Sequence, residues 1–145
     1  VRSTVYEVLR MDPPVPFQYA KAKEDFVLES HDARYLVKKG ELLAGYQPMA
    51  MRDPHVFEDA HQFTPDRFMY DGDKGQNLLQ CLFWSNGPET EEPSMHNKQC
   101  PGKNIVILLA CLFVAHIYLR YDSIDIDPDT PSSRIVFTAL NKATF

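Results

Sequence analysis

The segment NKQCPGKN, Asn97 to Asn104, sets a cysteine between two lysines, directly ahead of a Pro-Gly pair and a long apolar run. Cys100 has two readings in that setting. It is a small buried hydrophobe, or it is a thiolate placed where backbone N–H groups and the positive end of a helix dipole favour negative charge. A thiolate of that kind is a ligand for a soft iron centre. Pro101 suits a first helical turn, and Gly102, lacking a side chain, lets a flat group approach the backbone. Lys98 is either a loop lysine in water or a cation that pairs with an anionic group on the same ligand. His96 and Cys100 stand at i and i+4, which opens a third reading, a metal-binding module. That module needs further ligands, and no other His/Cys pair is spaced to supply them.

A second group of charges sits far away in sequence. Glu7 and Arg10 lie at i and i+3 and share one helix face. They are an exposed ion pair, or a buried one that requires partners. Arg67, in Pro65-Asp66-Arg67-Phe68, is a candidate partner. A guanidinium fork can satisfy a carboxylate and backbone carbonyls together.

The elements that must position these residues follow from periodicity and breakers. VRSTVYEVLR reads as helix, with Val1, Val5, Val8 and Leu9 on one face, and it stops at Met11-Asp12-Pro13-Pro14. VPFQYA, DFVLES and RYLVKKGELLAGYQ read as short strands, with Gly40 at a turn and Gly45 at a bulge. From Pro48 to Phe68 the chain is proline-punctuated and irregular, and Phe57, Phe63 and Phe68 are candidates to pin it. MYDGDKGQN is a polar surface loop, and SNGPETEEPSMH is a second, acidic loop. A long helix is expected from near Gly102 to near Tyr121, buried on most sides. SIDIDPDTPSSRIVFTALNKATF supplies two extended pieces around a Pro-Asp turn, which can pair as a hairpin.

The bulk properties exclude several classes. The chain has 145 residues, of which 44% are hydrophobic, enough for one ordinary domain. With a net charge of −5 and no basic stripe, nucleic acid is not an expected partner. Three cysteines without a CxxC pair support neither a disulfide framework nor structural zinc. The run Ile105 to Leu119 is shorter than the roughly 20 apolar residues of a membrane span. The chain starts at Val1, already in helical pattern and without a cap, so it is expected to be the C-terminal portion of something longer. An interaction domain using the acidic stretch Asp122 to Asp129 is the non-enzymatic alternative.

Taken in order, Glu7/Arg10, Pro65/Arg67/Phe68 and Cys100/Gly102 resemble the E-x-x-R, meander and cysteine-ligand motifs of the cytochrome P-450 superfamily. The resemblance covers essentially the whole chain. One departure is informative: Pro93 stands where the family carries a phenylalanine seven residues before the cysteine. The aromatic-then-glycine element appears earlier, as Trp84-Ser85-Asn86-Gly87, and ETEEPSMH looks inserted. That altered loop is similar to the plant fatty-acid hydroperoxide branch, which comprises allene oxide synthases, hydroperoxide lyases and divinyl ether synthases. SNGPETEEP and SSRIVFTALNKATF are most similar to allene oxide synthases.

The resemblance implies a mainly α fold with small β-sheets (α+β), the proximal haem side of a single haem domain spanning residues 1–145. It implies haem b as cofactor, with Cys100 as axial iron ligand and catalytic residue and Lys98 as a haem contact. Glu7, Arg10 and Arg67 take structural roles. Val15, Phe17, Phe137 and Thr138 are expected to line a substrate pocket. The implied activity is dehydration of a polyunsaturated fatty-acid hydroperoxide to an allene oxide, without molecular oxygen or a reductase partner. Cleavage to aldehydes and divinyl ether formation are the alternatives. A plastid location and peripheral membrane association go with it. The 145 residues alone are expected to be inactive.

Overall fold

The computed structural model describes residues 1–30, 32–69, 77–95, 97–127 and 134–139. Helix α1 (Arg2–Met11) ends just ahead of the two prolines, and the Asp12 N–H donates to the Val8 carbonyl at 2.8 Å. Its inward face differs from the valine row expected. Ser3, Val5, Tyr6, Glu7 and Arg10 are buried, while Val1 and Val8 are 56% and 49% exposed. The ion-pair positions face the rest of the chain, because they find acceptors there that water would otherwise have to supply.

Four short strands follow: β1 (Phe17–Lys21), β2 (Phe26–Glu29), β3 (Arg34–Val37) and β4 (Leu42–Tyr46). β1 pairs antiparallel with β4, from Phe17↔Tyr46 to Lys21↔Leu42, and β2 pairs antiparallel with β3. The β2–β3 hairpin therefore lies between the two strands of the first ladder in sequence. Gly40 adopts φ +91°, a turn conformation that side chains resist. Gly45 is not a bulge: it pairs with Gln18 in an unbroken register.

The stretch after β4 is less irregular than its prolines suggest. Gln47–Met51 forms helix α2, with Pro48 at its start, where a missing N–H costs nothing. Turns carry the chain onward to Met69. Phe57 is fully buried and Phe68 partly so, but Phe63 is half exposed and does not pin the stretch. Residues 70–76 of the expected polar loop lie outside the described residues, as do His96 and the Pro-Asp turn of the tail. Strands β5 (Phe83–Trp84) and β6 (Gly87–Pro88) form a minimal hairpin. Helix α3 (Lys103–Tyr118) and the antiparallel pair β7 (Tyr121–Asp127) and β8 (Arg134–Ala139) complete the chain.

The core is Tyr6, Met51, Leu82, Trp84 and Ile107, with Cys100 and Cys111 packed against it. It thus joins α1, α2, the β5 region and α3. Of α3, only Lys103 and Ile107 are buried; Leu108, Leu109, Leu112 and Phe113 are all more than half exposed. A helix apolar on every side needs partners on several sides, and the described residues bury only its Lys103–Ile107 face. No described helix is long and apolar enough to cross a membrane.

Candidate functional site

The Glu7 cluster is built from three directions. Arg10 grips Glu7 in a fork: its Nε donates to Oε2 and its Nη2 to Oε1, both at 2.8 Å. Its third nitrogen, Nη1, donates to the Met51 and Ala60 carbonyls at 2.9 and 2.7 Å, and the guanidinium lies 5.0 Å from the Phe57 ring centre. Arg67 reaches across 60 residues and donates from Nε to Glu7 Oε1 at 3.1 Å, while its Nη2 meets Thr64 Oγ1 and the Gln62 carbonyl. The Thr64 N–H adds a further bond to Glu7 Oε1 at 2.9 Å. Burial by itself would raise the Glu7 pKa, but the hydrogen bonds from Arg10, Thr64 and Arg67 outweigh it and hold the carboxyl below its usual range. Chemically the cluster is closed. Its donors are spent on the chain itself, so its work is to tie α1 to the 51–67 stretch.

Cys100 lies at the other side of the core. Pro101 and Gly102 form a turn rather than the first helical residues, and α3 starts at Lys103. The cysteine is free and half-buried. It stands in the wall of a cavity of about 320 Å³, with Leu9, Pro14, Val15, Trp84 and Val106 around it. Those walls are almost wholly apolar. The indole N–H of Trp84 is buried there with no acceptor among the described residues. A larger depression, about 870 Å³, lies by His55 and His61 and shares no wall with it. Volume alone therefore does not single out the cavity beside the thiol.

The loop carrying Cys100 is held by residues that the sequence patterns did not single out. Gln99 is buried and donates to the Pro88 carbonyl at 2.9 Å, and its backbone bridges to Ser85. Lys103 is 2% exposed, and its Nζ donates to the carbonyls of Glu89, at 2.9 Å, and Glu91. Asn97 donates from Nδ2 to Glu91 Oε2 at 2.6 Å. Tyr6 donates to Glu89 Oε1 at 3.0 Å, and burial together with the Glu89 charge pushes its pKa up to about 12. The acidic loop after Gly87 is therefore docked onto the cysteine loop. A signal for Lys103 was present: 103, 107 and 111 share one helix face, and that face is the buried one.

Gly87 permits this docking. A Cβ there would fall 2.1 Å from Asn97 Oδ1 and 2.3 Å from Gln99 Nε2. Gly87→Ala is therefore expected to push the Asn97 and Gln99 amides off their partners and destabilise the protein by about 0.5–1.5 kcal/mol, the worth of a hydrogen bond. Thermal unfolding of the full-length holoprotein checks this, and an unchanged midpoint refutes it.

The other expected site residues divide. Val15 lines this cavity. Phe17 does not: it packs on Tyr46 with ring centres 4.8 Å apart. Phe137 packs at a tilt on Tyr121, ring centres 5.0 Å apart, within the β7–β8 hairpin, and Thr138 pairs with Ser123; neither lines this cavity. Strand pairing, a short-range force, has placed these residues on their own ladders. Lys98 is exposed beside Cys100. Cys111 packs on the core, and burial raises the pKa of the Cys81 thiol. The described residues hold no cluster of three or more metal-binding side chains, and His96, needed for the metal-module alternative, lies outside them.

The chain is 53% identical over 146 residues to the chloroplastic allene oxide synthase of Arabidopsis thaliana, covering 99% of this chain and 28% of that protein. It is 50% identical to a divinyl ether synthase of Solanum tuberosum, covering 99% of this chain and 30% of that one. The chain thus spans under a third of the length of these relatives. Among solved structures, a substrate-free Bacillus megaterium protein matches with a TM-score of 0.66 and 27% identity, over 90% of this chain and 28% of its own. A retinoic-acid-bound cyanobacterial protein matches with a TM-score of 0.74 and 22% identity, over 95% of this chain and 32% of its own. The family model for cytochrome P-450 matches residues 1–139, so the chain belongs to the cytochrome P-450 family.

Proposed function

We propose that this chain is the C-terminal, proximal part of a single haem domain, and that the complete protein is an allene oxide synthase. The observation that carries the reading is the free, half-buried Cys100 in the wall of an apolar cavity at the start of α3. The residues present suit haem b. A sulfur donor is on hand without a disulfide partner, the walls are apolar, and the Trp84 N–H lacks an acceptor among the described residues. The haem iron, when bound, supplies homolysis of the hydroperoxide O–O bond, so the substrate brings its own oxygen and neither molecular oxygen nor a reductase is needed. The net reaction is loss of water from the hydroperoxide.

The chain's own residues do three things. Cys100 would hold the haem iron through its sulfur. The Gln99, Lys103 and Asn97 contacts hold its loop against the acidic segment, and the Glu7 cluster holds the scaffold behind it. Leu9, Pro14 and Val15 give the cavity an apolar wall. Lys98 is proposed to pair with a haem propionate. Lys98→Ala in the complete enzyme is expected to weaken haem affinity only about fivefold, the worth of an exposed ion pair, with the thiolate spectrum retained. A haem titration checks it, and equal affinity returns Lys98 to the solvent.

A second reading has a specific observation behind it, since divinyl ether synthases match this chain almost as well as allene oxide synthases do. Incubating the full-length enzyme separately with a 13- and a 9-hydroperoxide, with products identified by mass spectrometry, separates them. Ketols and cyclopentenones, the decay products of an allene oxide, support the reading. Divinyl ethers establish the second one, and short-chain aldehydes indicate a lyase. The same reading places the enzyme in the plastid, as the names of the relatives say of those proteins. Peripheral membrane association belongs to it too, and liposome flotation tests that part.

A further inference from the structure

Lys103 is a buried cation at the start of a largely apolar helix. It is 2% exposed, and it sits in the first turn of α3, where a cation opposes the helix dipole and no acidic residue offsets it. A buried ammonium in that position needs acceptors. The acceptors the structure shows are the backbone carbonyls of Glu89 and Glu91, in the acidic loop docked beside Cys100. The Lys103 N–H in turn donates to the Cys100 carbonyl at 3.2 Å. One residue therefore joins the cysteine turn, the helix start and the acidic loop. The neighbouring ionisable groups are Glu89, which accepts from Tyr6, and Glu91, which accepts from Asn97.

We propose that Lys103 is a positioning residue for the Cys100 turn: its buried ammonium clamps the 89–91 segment, while its own backbone N–H holds the Cys100 carbonyl. This rests on the reading of Cys100 as the iron ligand. The clamp and the inserted loop form one device. Without the ammonium, the two carbonyls lose their donor and the tie between the cysteine turn and the acidic loop is weakened. Without the loop, the ammonium loses its acceptors.

The test uses the full-length holoenzyme. Lys103→Met keeps much of the side-chain volume and removes the charge and donors; Lys103→Gln keeps one short donor group; Lys103→Arg keeps the charge. The readout is the rate at which the thiolate-ligated ferrous carbon monoxide complex converts to its thiol-ligated form. Val37→Ala, a buried site in the β2–β3 hairpin, serves as a control for general loss of stability. Lys103→Met is expected to convert about tenfold faster than wild type, consistent with loss of a charged hydrogen bond. Lys103→Gln should fall between the two, Lys103→Arg should restore part of the loss, and Val37→Ala should match wild type. A wild-type conversion rate in Lys103→Met overturns the proposal. If Lys103→Met yields no holoprotein, a wild-type rate in Lys103→Gln overturns it, and an intermediate rate supports it. Failure of both to load haem, reversed in Lys103→Arg, assigns Lys103 to folding and also overturns it. Cys100→Ser, run in parallel, reports on the underlying reading: a thiolate spectrum that survives there refutes the ligand assignment, whatever the Lys103 variants do.

Discussion

Replacing Cys100 with serine in the complete enzyme is expected to remove turnover of fatty-acid hydroperoxide and the thiolate character of the ferrous carbon monoxide spectrum together. A neutral hydroxyl is a poor electron donor, and O–O cleavage depends on the donor strength of the axial ligand. Activity should drop at least about a thousandfold, which corresponds to a barrier higher by about 4 kcal/mol. The protein itself should still fold, because Cys100 lies at the margin of the core rather than at its centre. The two other thiols provide the comparison. Cys81→Ser and Cys111→Ser should leave the spectrum unchanged, since neither lines the Cys100 cavity. Normal turnover in Cys100→Ser, or an altered spectrum confined to Cys111→Ser, would move the ligand elsewhere.

Glu7→Ala should act on folding rather than on product choice. The carboxylate has no exposed side chain and receives hydrogen bonds from two guanidinium groups and one backbone amide. Removing it leaves two buried arginines facing one another, and breaking a buried ion pair in this way costs about 3–5 kcal/mol. That is a large share of the roughly 5–15 kcal/mol by which domains are stable. The expected outcome is haem-poor, aggregating protein. Soluble, haem-replete Glu7→Ala with normal unfolding would show that the cluster contributes little.

The cluster also has a pH signature. Because the Glu7 pKa is depressed on folding from its ordinary value of 4.5, its contribution is complete above that value and is lost as pH falls through the lower, folded value. Glu7→Gln should flatten that acid limb of the stability curve, and acid titration followed by circular dichroism checks it.

Much of this protein is determined locally. Proline ends α1 wherever the chain goes next. The short mixed-pattern segments VPFQYA and RYLVKKGELLAGYQ give strands, Gly40 turns them, and the apolar run after Gly102 becomes α3. The order of Glu7/Arg10, Arg67 and Cys100 is likewise a property of the sequence alone. Such features need only steric limits and a period of two or 3.6 residues. What the tertiary structure decided is which groups meet. Val8 turned outward and Arg10 inward, because Met51, Ala60 and Glu7 offered the guanidinium its acceptors. Phe17, Phe137 and Thr138 stayed on their ladders while Val15 reached the cavity. Lys103, one cation within an apolar helix, became buried because a loop 12 to 14 residues earlier brought it two carbonyls. Those outcomes depend on chain closure and on satisfying buried polar groups, and neither leaves a periodic trace in the sequence.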